Sequence, residues 1–185
     1  MFKKIPFIVI LILSTSFLVL ALHNNINYSS EPGYVGTTVC GMCHKKEDAG
    51  QQLKIWQGSK HSQAYKTLQT EKADKIANEK GFKTKAVNTK ECLKCHAIGY
   101  DLDASLLGKK FKVEDGVQCE TCHGPGSDYK SKKIMKDRTL SKEKGLIIYD
   151  NPKELCVKCH NDDSPVFKGF NFEEAWAKIK HSKPE

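Results

Sequence analysis

No cysteine in this chain stands alone. All eight fall in four pairs with two residues between them, which leaves none for a separate disulfide framework or a lone catalytic thiol. Histidine and methionine are scarce, with seven and three in 185 residues. Hydrophobic residues make up only 39%, which is little for a core of ordinary size. No phosphate-cradling loop, general base or activated nucleophile can be picked out, so hydrolytic and phosphoryl-transfer chemistry find no support. A repeat of fixed period is missing too.

What the chain does have is one short pattern four times: Cys40-Gly-Met-Cys43-His44, Cys92-Leu-Lys-Cys95-His96, Cys119-Glu-Thr-Cys122-His123 and Cys156-Val-Lys-Cys159-His160. Cysteines spaced this way are poorly disposed for structural bridges. Two such pairs would make a four-thiolate zinc site, but zinc has no need of a histidine after each pair. With seven histidines in 185 residues, about 4% of positions carry one, and four in the required place by chance is on the order of one in a million. Covalent haem c needs all three residues: two thiols add to the vinyl groups and the adjacent imidazole reaches the iron. The cofactor expectation is therefore four haem c groups held by Cys40, Cys43, Cys92, Cys95, Cys119, Cys122, Cys156 and Cys159, with His44, His96, His123 and His160 as axial ligands.

Local sequence suits that geometry. Asn151, Pro152 and Glu154 read as cap, first helical residue and capping-box partner, which puts Cys156, Cys159 and His160 on one helical face. Thr89 reads as a similar cap before the second motif, and Gly124-Pro125-Gly126 stops any helix after the third. Four apolar macrocycles would then form the core. The fold class expected is mainly α: short helices and long loops wrapped around four covalently attached haems, with little or no sheet.

Lys3 and Lys4 precede an apolar run from Ile5 to Leu22, so residues 1–22 are expected to export the chain as a signal peptide or N-terminal membrane anchor. The run has 18 residues, against about 7 to 15 for a secretory core and about 17 to 25 for a spanning helix. Without a small-x-small cleavage site after it, the anchor is favoured, which implies a periplasmic protein held at the cytoplasmic membrane by residues 5–22, or a soluble one if cleaved. Residues 23–36 read as a flexible tether and residues 37–185 as the tetrahaem domain. The formal charge of +8 becomes +6 without Lys3 and Lys4 (8 − 2). Haem propionates, at about −1 net per ferric haem, offset most of it. The lysines then face propionates and redox partner proteins with acidic docking surfaces, and no nucleic-acid partner is expected.

Second axial ligands must come from a small pool. His23 and Met1 flank the apolar run, and Met42 lies inside its own attachment loop. His61 falls close to an apolar stripe of Leu53, Trp56, Ala64 and Leu68 read as one helix. His181 closes a helix capped by Asn171 and Glu174 with Phe172, Ala175, Trp176 and Ile179 as its stripe. Met135 is the third candidate, as a thioether ligand. Three candidates for four irons leave at least one open.

The first motif followed by Trp56 and His61, the second followed by Gly99-Tyr100, the stretch GVQCETCHGPGSDY and the final KIKH together resemble the cytochrome c-554 family of tetrahaem cytochromes. The resemblance implies a mostly helical periplasmic electron carrier. It also implies that His61 serves the His123 haem, His181 serves the His160 haem, and the haem at His96 lacks a sixth protein ligand. A family histidine after the third motif is missing between Gly124 and Asp150, and Met135 is its substitute opposite His44. The function expected is electron transfer in a respiratory chain. The alternatives are an oxidoreductase acting on nitric oxide, hydroxylamine or a similar small molecule at the open second haem, with Tyr100 and lysines as candidate proton donors, and a tethered subunit of a larger respiratory complex.

Overall fold

A computed structural model describes residues 31–181. The expected export segment, and His23 and Met1 with it, lie outside the described residues. Among those described, no helix is long and apolar enough to cross a membrane.

Ten short helices follow one another among the described residues: α1 Thr37–His44, α2 Gln52–Gln57, α3 Ala64–Thr67, α4 Glu71–Glu79, α5 Lys90–His96, α6 Cys119–His123, α7 Lys132–Met135, α8 Arg138–Glu143, α9 Lys153–Cys156 and α10 Phe172–Ile179. The only extended pairing among them is an isolated parallel bridge between Tyr34 and Leu107. The mainly α class with little sheet is what the composition led us to expect.

The longest of the described helices, α4, shows how local chemistry sets the boundaries. The Thr70 hydroxyl accepts from Ala73 N–H at 3.2 Å, and Glu71 and Asp74 stand in the first turn, where negative charge complements the exposed N–H groups. At the far end Gly81 turns left-handed at φ 86°. Gly81 and Phe82 then return N–H bonds to Asn78 and Ala77, a Schellman stop that lays Phe82 against the core.

That core is small. Leu68, Ala77, Ala86, Leu93 and Ala97 form it, flanked by Tyr65, Phe82, Val87 and Tyr100. It surrounds the second motif alone. Elsewhere the largest fully buried side chains are polar, namely Gln118, Glu120 and Ser141.

The packed body begins before Thr37, where the sequence had suggested a tether. Gly33 N–H donates to Ser127 Oγ at 2.9 Å, and Val35 and Gly36 donate to the Glu120 carboxylate. Small residues that suit a linker here also let the backbone approach closely: a Cβ on Gly36 would lie 2.6 Å from the Lys110 carbonyl oxygen.

The helix expected across residues 53–68 is broken. It stops at Gln57, and the Ser59 and Ser62 hydroxyls take the freed carbonyls of Trp56, Gln57 and Ser59 at 2.7, 3.1 and 2.9 Å. Hydroxyls that offer the backbone an alternative partner in this way favour a turn over a continuous helix. His61 therefore stands at the start of a 3-10 turn, His61–Gln63.

Candidate functional site

Each motif sits at the end of a short helix, where side chains at i, i+3 and i+4 share a face. α1 ends on His44, α5 on His96 and α6 on His123. α6 stops there because Gly124 turns away at φ 76°. The fourth motif differs in detail. α9 begins at Lys153 and ends at Cys156, with helical bonding carried on by His160 N–H to the Cys156 carbonyl at 3.0 Å. Asn151 does not cap the backbone by its side chain, and its amide instead donates to Glu154 Oε1 at 3.0 Å. Thr89 occupies the cap position of α5 without capping it, because its hydroxyl is engaged by the Lys85 carbonyl at 2.9 Å and by Thr84 Oγ1 at 2.8 Å.

Three of the four motif imidazoles have their Nδ1 set against an oxygen acceptor. His96 Nδ1 lies 2.8 Å from the Ala64 carbonyl oxygen, and His123 Nδ1 lies 2.9 Å from that of Ile147. A carbonyl only accepts, so Nδ1 carries the proton in both and Nε2 keeps a free lone pair. His44 Nδ1 meets Gln52 Oε1 at 3.2 Å, and the same glutamine amide donates to the Ala49 carbonyl. Burial holds His123 and His160 below the ordinary imidazole range, which favours the neutral form that binds metal.

His61, His181 and Met135 all line one largely apolar cavity, together with His44, His123 and the thiols of Cys40, Cys119 and Cys122. His181 reaches it because α10 ends at Ile179 and Lys180 turns extended, at φ −58° and ψ 140°. Its Nδ1 then donates to the Ile179 carbonyl at 3.0 Å. A continued helix would have carried His181 away from the stripe.

Two imidazole pairs lie close together, their planes tilted by 52° and 58°. His61 and His160 have ring centres 6.1 Å apart, and His123 and His181 have theirs 5.8 Å apart. Two imidazoles on opposite sides of one metal, each bonded at about 2 Å, hold their ring centres roughly 6 Å apart. The residues present therefore fit a macrocycle-held iron between each pair. The partners are exchanged relative to the pairing that the family resemblance implied, since His61 faces His160 and His181 faces His123. Among the described residues, no histidine ring faces His44 or His96 in this way, and no group of three or more His, Cys, Asp or Glu gathers as a bare metal ion would require.

The motifs are ordered in space differently from their order in sequence. The Cys40 and Cys119 thiols are close enough to perturb each other's acidity, as are those of Cys95 and Cys159. Cys122 stands close enough to Cys156 for the latter to add to the upward push of burial, which takes Cys122 to about 11. The attachment sites thus run first, third, fourth, second.

The third motif is also the hub of the polar interior, which local sequence rules do not disclose. Trp56 Nε1 donates to the Val117 carbonyl at 2.8 Å. Gln118 accepts from Thr37 Oγ1 at 3.2 Å and donates to the Lys112 carbonyl at 3.1 Å. The Tyr129 hydroxyl donates to the Gly124 carbonyl at 2.7 Å. Glu120, between the two cysteines, binds Val35, Gly36 and Gly126 through their N–H groups. The only sequence signal for any of this is that the GVQCETCHGPG stretch carries more of the family resemblance than any other segment.

A family model described as "Cytochrome c554 and c-prime" matches residues 39–124, which take in the first three motifs. A curated protein, Cytochrome c-554 of Nitrosomonas europaea, is 26% identical over 158 residues, covering 76% of this chain and 63% of the relative. The chain thus spans less than two thirds of that relative's length. No solved structure matches the chain.

Proposed function

Because residues 39–124 match a cytochrome c554 family model and the chain is 26% identical to a cytochrome c-554, we propose that it is a member of that family and transfers electrons one at a time through four covalently bound haem c groups, as a periplasmic protein of a respiratory chain. The observation that carries this reading is the pair of facing imidazoles, His61 with His160 and His123 with His181, at 6.1 and 5.8 Å. Haem c bound at each motif supplies a one-electron iron couple. The protein's own work is to fix that group by two thioethers, aim one imidazole Nε2 at it, and exclude water.

In this reading His44, His96, His123 and His160 are the attachment-side ligands. His61 stands opposite His160, His181 opposite His123, and Met135 opposite His44, whose cavity wall it shares. The thiol contacts support the spatial order first, third, fourth, second. Exposed lysines suit a redox partner with an acidic docking surface. The export segment, as cleaved signal or anchor, accounts for the compartment.

A second reading has one specific observation in its favour: no histidine ring faces His96 among the described residues, while Tyr100 packs nearby at the second-motif core. An iron open on that side would bind a small nitrogen or oxygen ligand and make the protein an oxidoreductase. The test for both readings is a carbon monoxide titration of the reduced, haem-loaded protein, combined with a reductive titration that counts electrons per chain. Four electrons and about one carbon monoxide per chain are expected. Fewer than four electrons defeats the tetrahaem reading. Four electrons with no carbon monoxide bound leaves a carrier alone, and turnover of nitric oxide, hydroxylamine or nitrite by the open form establishes the oxidoreductase.

A further inference from the structure

Glu120 is the one acidic residue inside an attachment motif, where the equivalent positions are Gly41, Leu93 and Val157. It is 2% exposed. Its Oε1 accepts from Val35 N–H at 2.8 Å and Gly126 N–H at 2.7 Å, and its Oε2 accepts from Gly36 N–H at 2.7 Å. All three partners only donate, so both oxygens act as acceptors, which is the bonding of a carboxylate and not of a carboxylic acid. The ion pairs of the described residues, Lys75–Glu79 and Lys94–Asp163, do not include it. Its charge is therefore met by backbone dipoles and left uncancelled by a cation. That charge is felt at Cys40 and Cys119, the thiols of the first and third motifs.

We propose that Glu120 is a redox-tuning residue: a fixed negative charge beside the third attachment site that lowers its reduction potential below that of the fourth. This rests on the haem reading above. A ferric centre carries one more positive charge than a ferrous one, and a buried anion nearby stabilises the more positive state far more than it would in water. The third and fourth sites make a comparison within one molecule, because each pairs its motif histidine with a second imidazole. The lysines inside the fourth motif and the second, Lys158 and Lys94, are solvent-facing and screened, so they do not offset the difference. The result biases electrons toward the fourth and second motifs, the half of the array that holds His96.

The test is a per-haem redox titration, resolved by electron paramagnetic resonance, of the full haem-loaded chain with Glu120→Gln and Glu120→Asp beside it. Haem content and thermal midpoint are read on the same samples. In the unaltered protein the third site is expected to be reduced after the fourth. Glu120→Gln, with four haems still attached, should shift the third site's reduction equilibrium about tenfold toward the reduced form, about 59 mV for one electron. Glu120→Asp, which keeps the charge, should stay near the original value even if its hydrogen bonds lengthen. A third site at or above the fourth in the unaltered protein, or a Glu120→Gln protein with every potential unmoved, overturns the proposal. If Glu120→Gln fails to mature, the order of the two sites in the unaltered protein still decides. A haem count below four overturns the underlying reading instead.

Discussion

His61 shows how a single side chain can be a ligand in waiting without any motif around it. Burial is the first cause holding its imidazole below the ordinary range, and the neighbouring His160 ring adds to it. His123 is lowered by burial as well, with the Ile147 carbonyl pulling the other way, and His160 by burial alone. A neutral, half-buried imidazole beside another neutral imidazole leaves two lone pairs that an iron between them would engage. If His61 serves the His160 iron, His61→Ala should keep four haems and raise the carbon monoxide bound per chain by one, with the spectral change confined to the haem on Cys156 and Cys159. A change at the haem on Cys119 and Cys122 would restore the pairing that the family resemblance implied. The same three histidines set an acid limit, because a metal ligand must be a deprotonated imidazole and acid competes for the ligating nitrogen. Thermal midpoints of the haem-loaded chain measured from pH 7.5 down to 4.5 should decline on acidification, and a rise over that range would contradict the assignment.

Helices were legible where their signals are local and obscure where a competitor sits at a distance. The motif spacing gave the ends of α1, α5 and α6, Gly124 gave the stop after the third motif, and Asn171 does cap α10 by accepting from Glu174 N–H at 3.4 Å. The apolar stripe from Leu53 to Leu68 misled, since periodicity does not register that two serine hydroxyls compete for carbonyls around Gly58. Thr89 misled for the same reason, its hydroxyl being claimed by Lys85 and Thr84. Glu120 was beyond reach altogether, because two of its partners are about 85 residues away in sequence. Those partners sit on the segment from Gly33 to Gly36, which looked like a tether and is an element of the body. Gly36 is its tightest point. At φ 87° a side chain is strained, and a Cβ would stand 2.6 Å from the Lys110 carbonyl oxygen and 2.7 Å from Phe111 Cα. Gly36→Ala should cost about 1–3 kcal/mol, read as a lowered denaturation midpoint with unchanged slope. An unshifted midpoint would mean that this segment contributes nothing to the folded body.

Seven hydrophobic residues are buried among those described, and three of them are alanines. A body of about 150 residues ordinarily buries some 70% of the surface its unfolded chain exposes, and burial near 25 cal/mol per Å² of apolar area is the main term opposing chain entropy. Among the described residues the apolar cluster surrounds the second motif, while the first and third motifs border the cavity. Hydrogen bonds such as those of Glu120, Gln118 and Tyr129 fix the arrangement, but each contributes only about 1 kcal/mol net, too little to replace a core. The missing apolar mass is what four macrocycles would supply, so folding and haem attachment should be one event. Chain produced without haem attachment is therefore expected to keep local helical content by far-ultraviolet circular dichroism while losing near-ultraviolet signal, cooperative melting and protection from proteases. The haem-loaded chain should show all three. Residual order in the haem-free chain should be highest near Leu68, Ala77, Ala86 and Leu93, and hydrogen exchange resolved by residue would find it there. A haem-free chain that melts cooperatively would show that the polar network suffices, and that the haems occupy a body already formed.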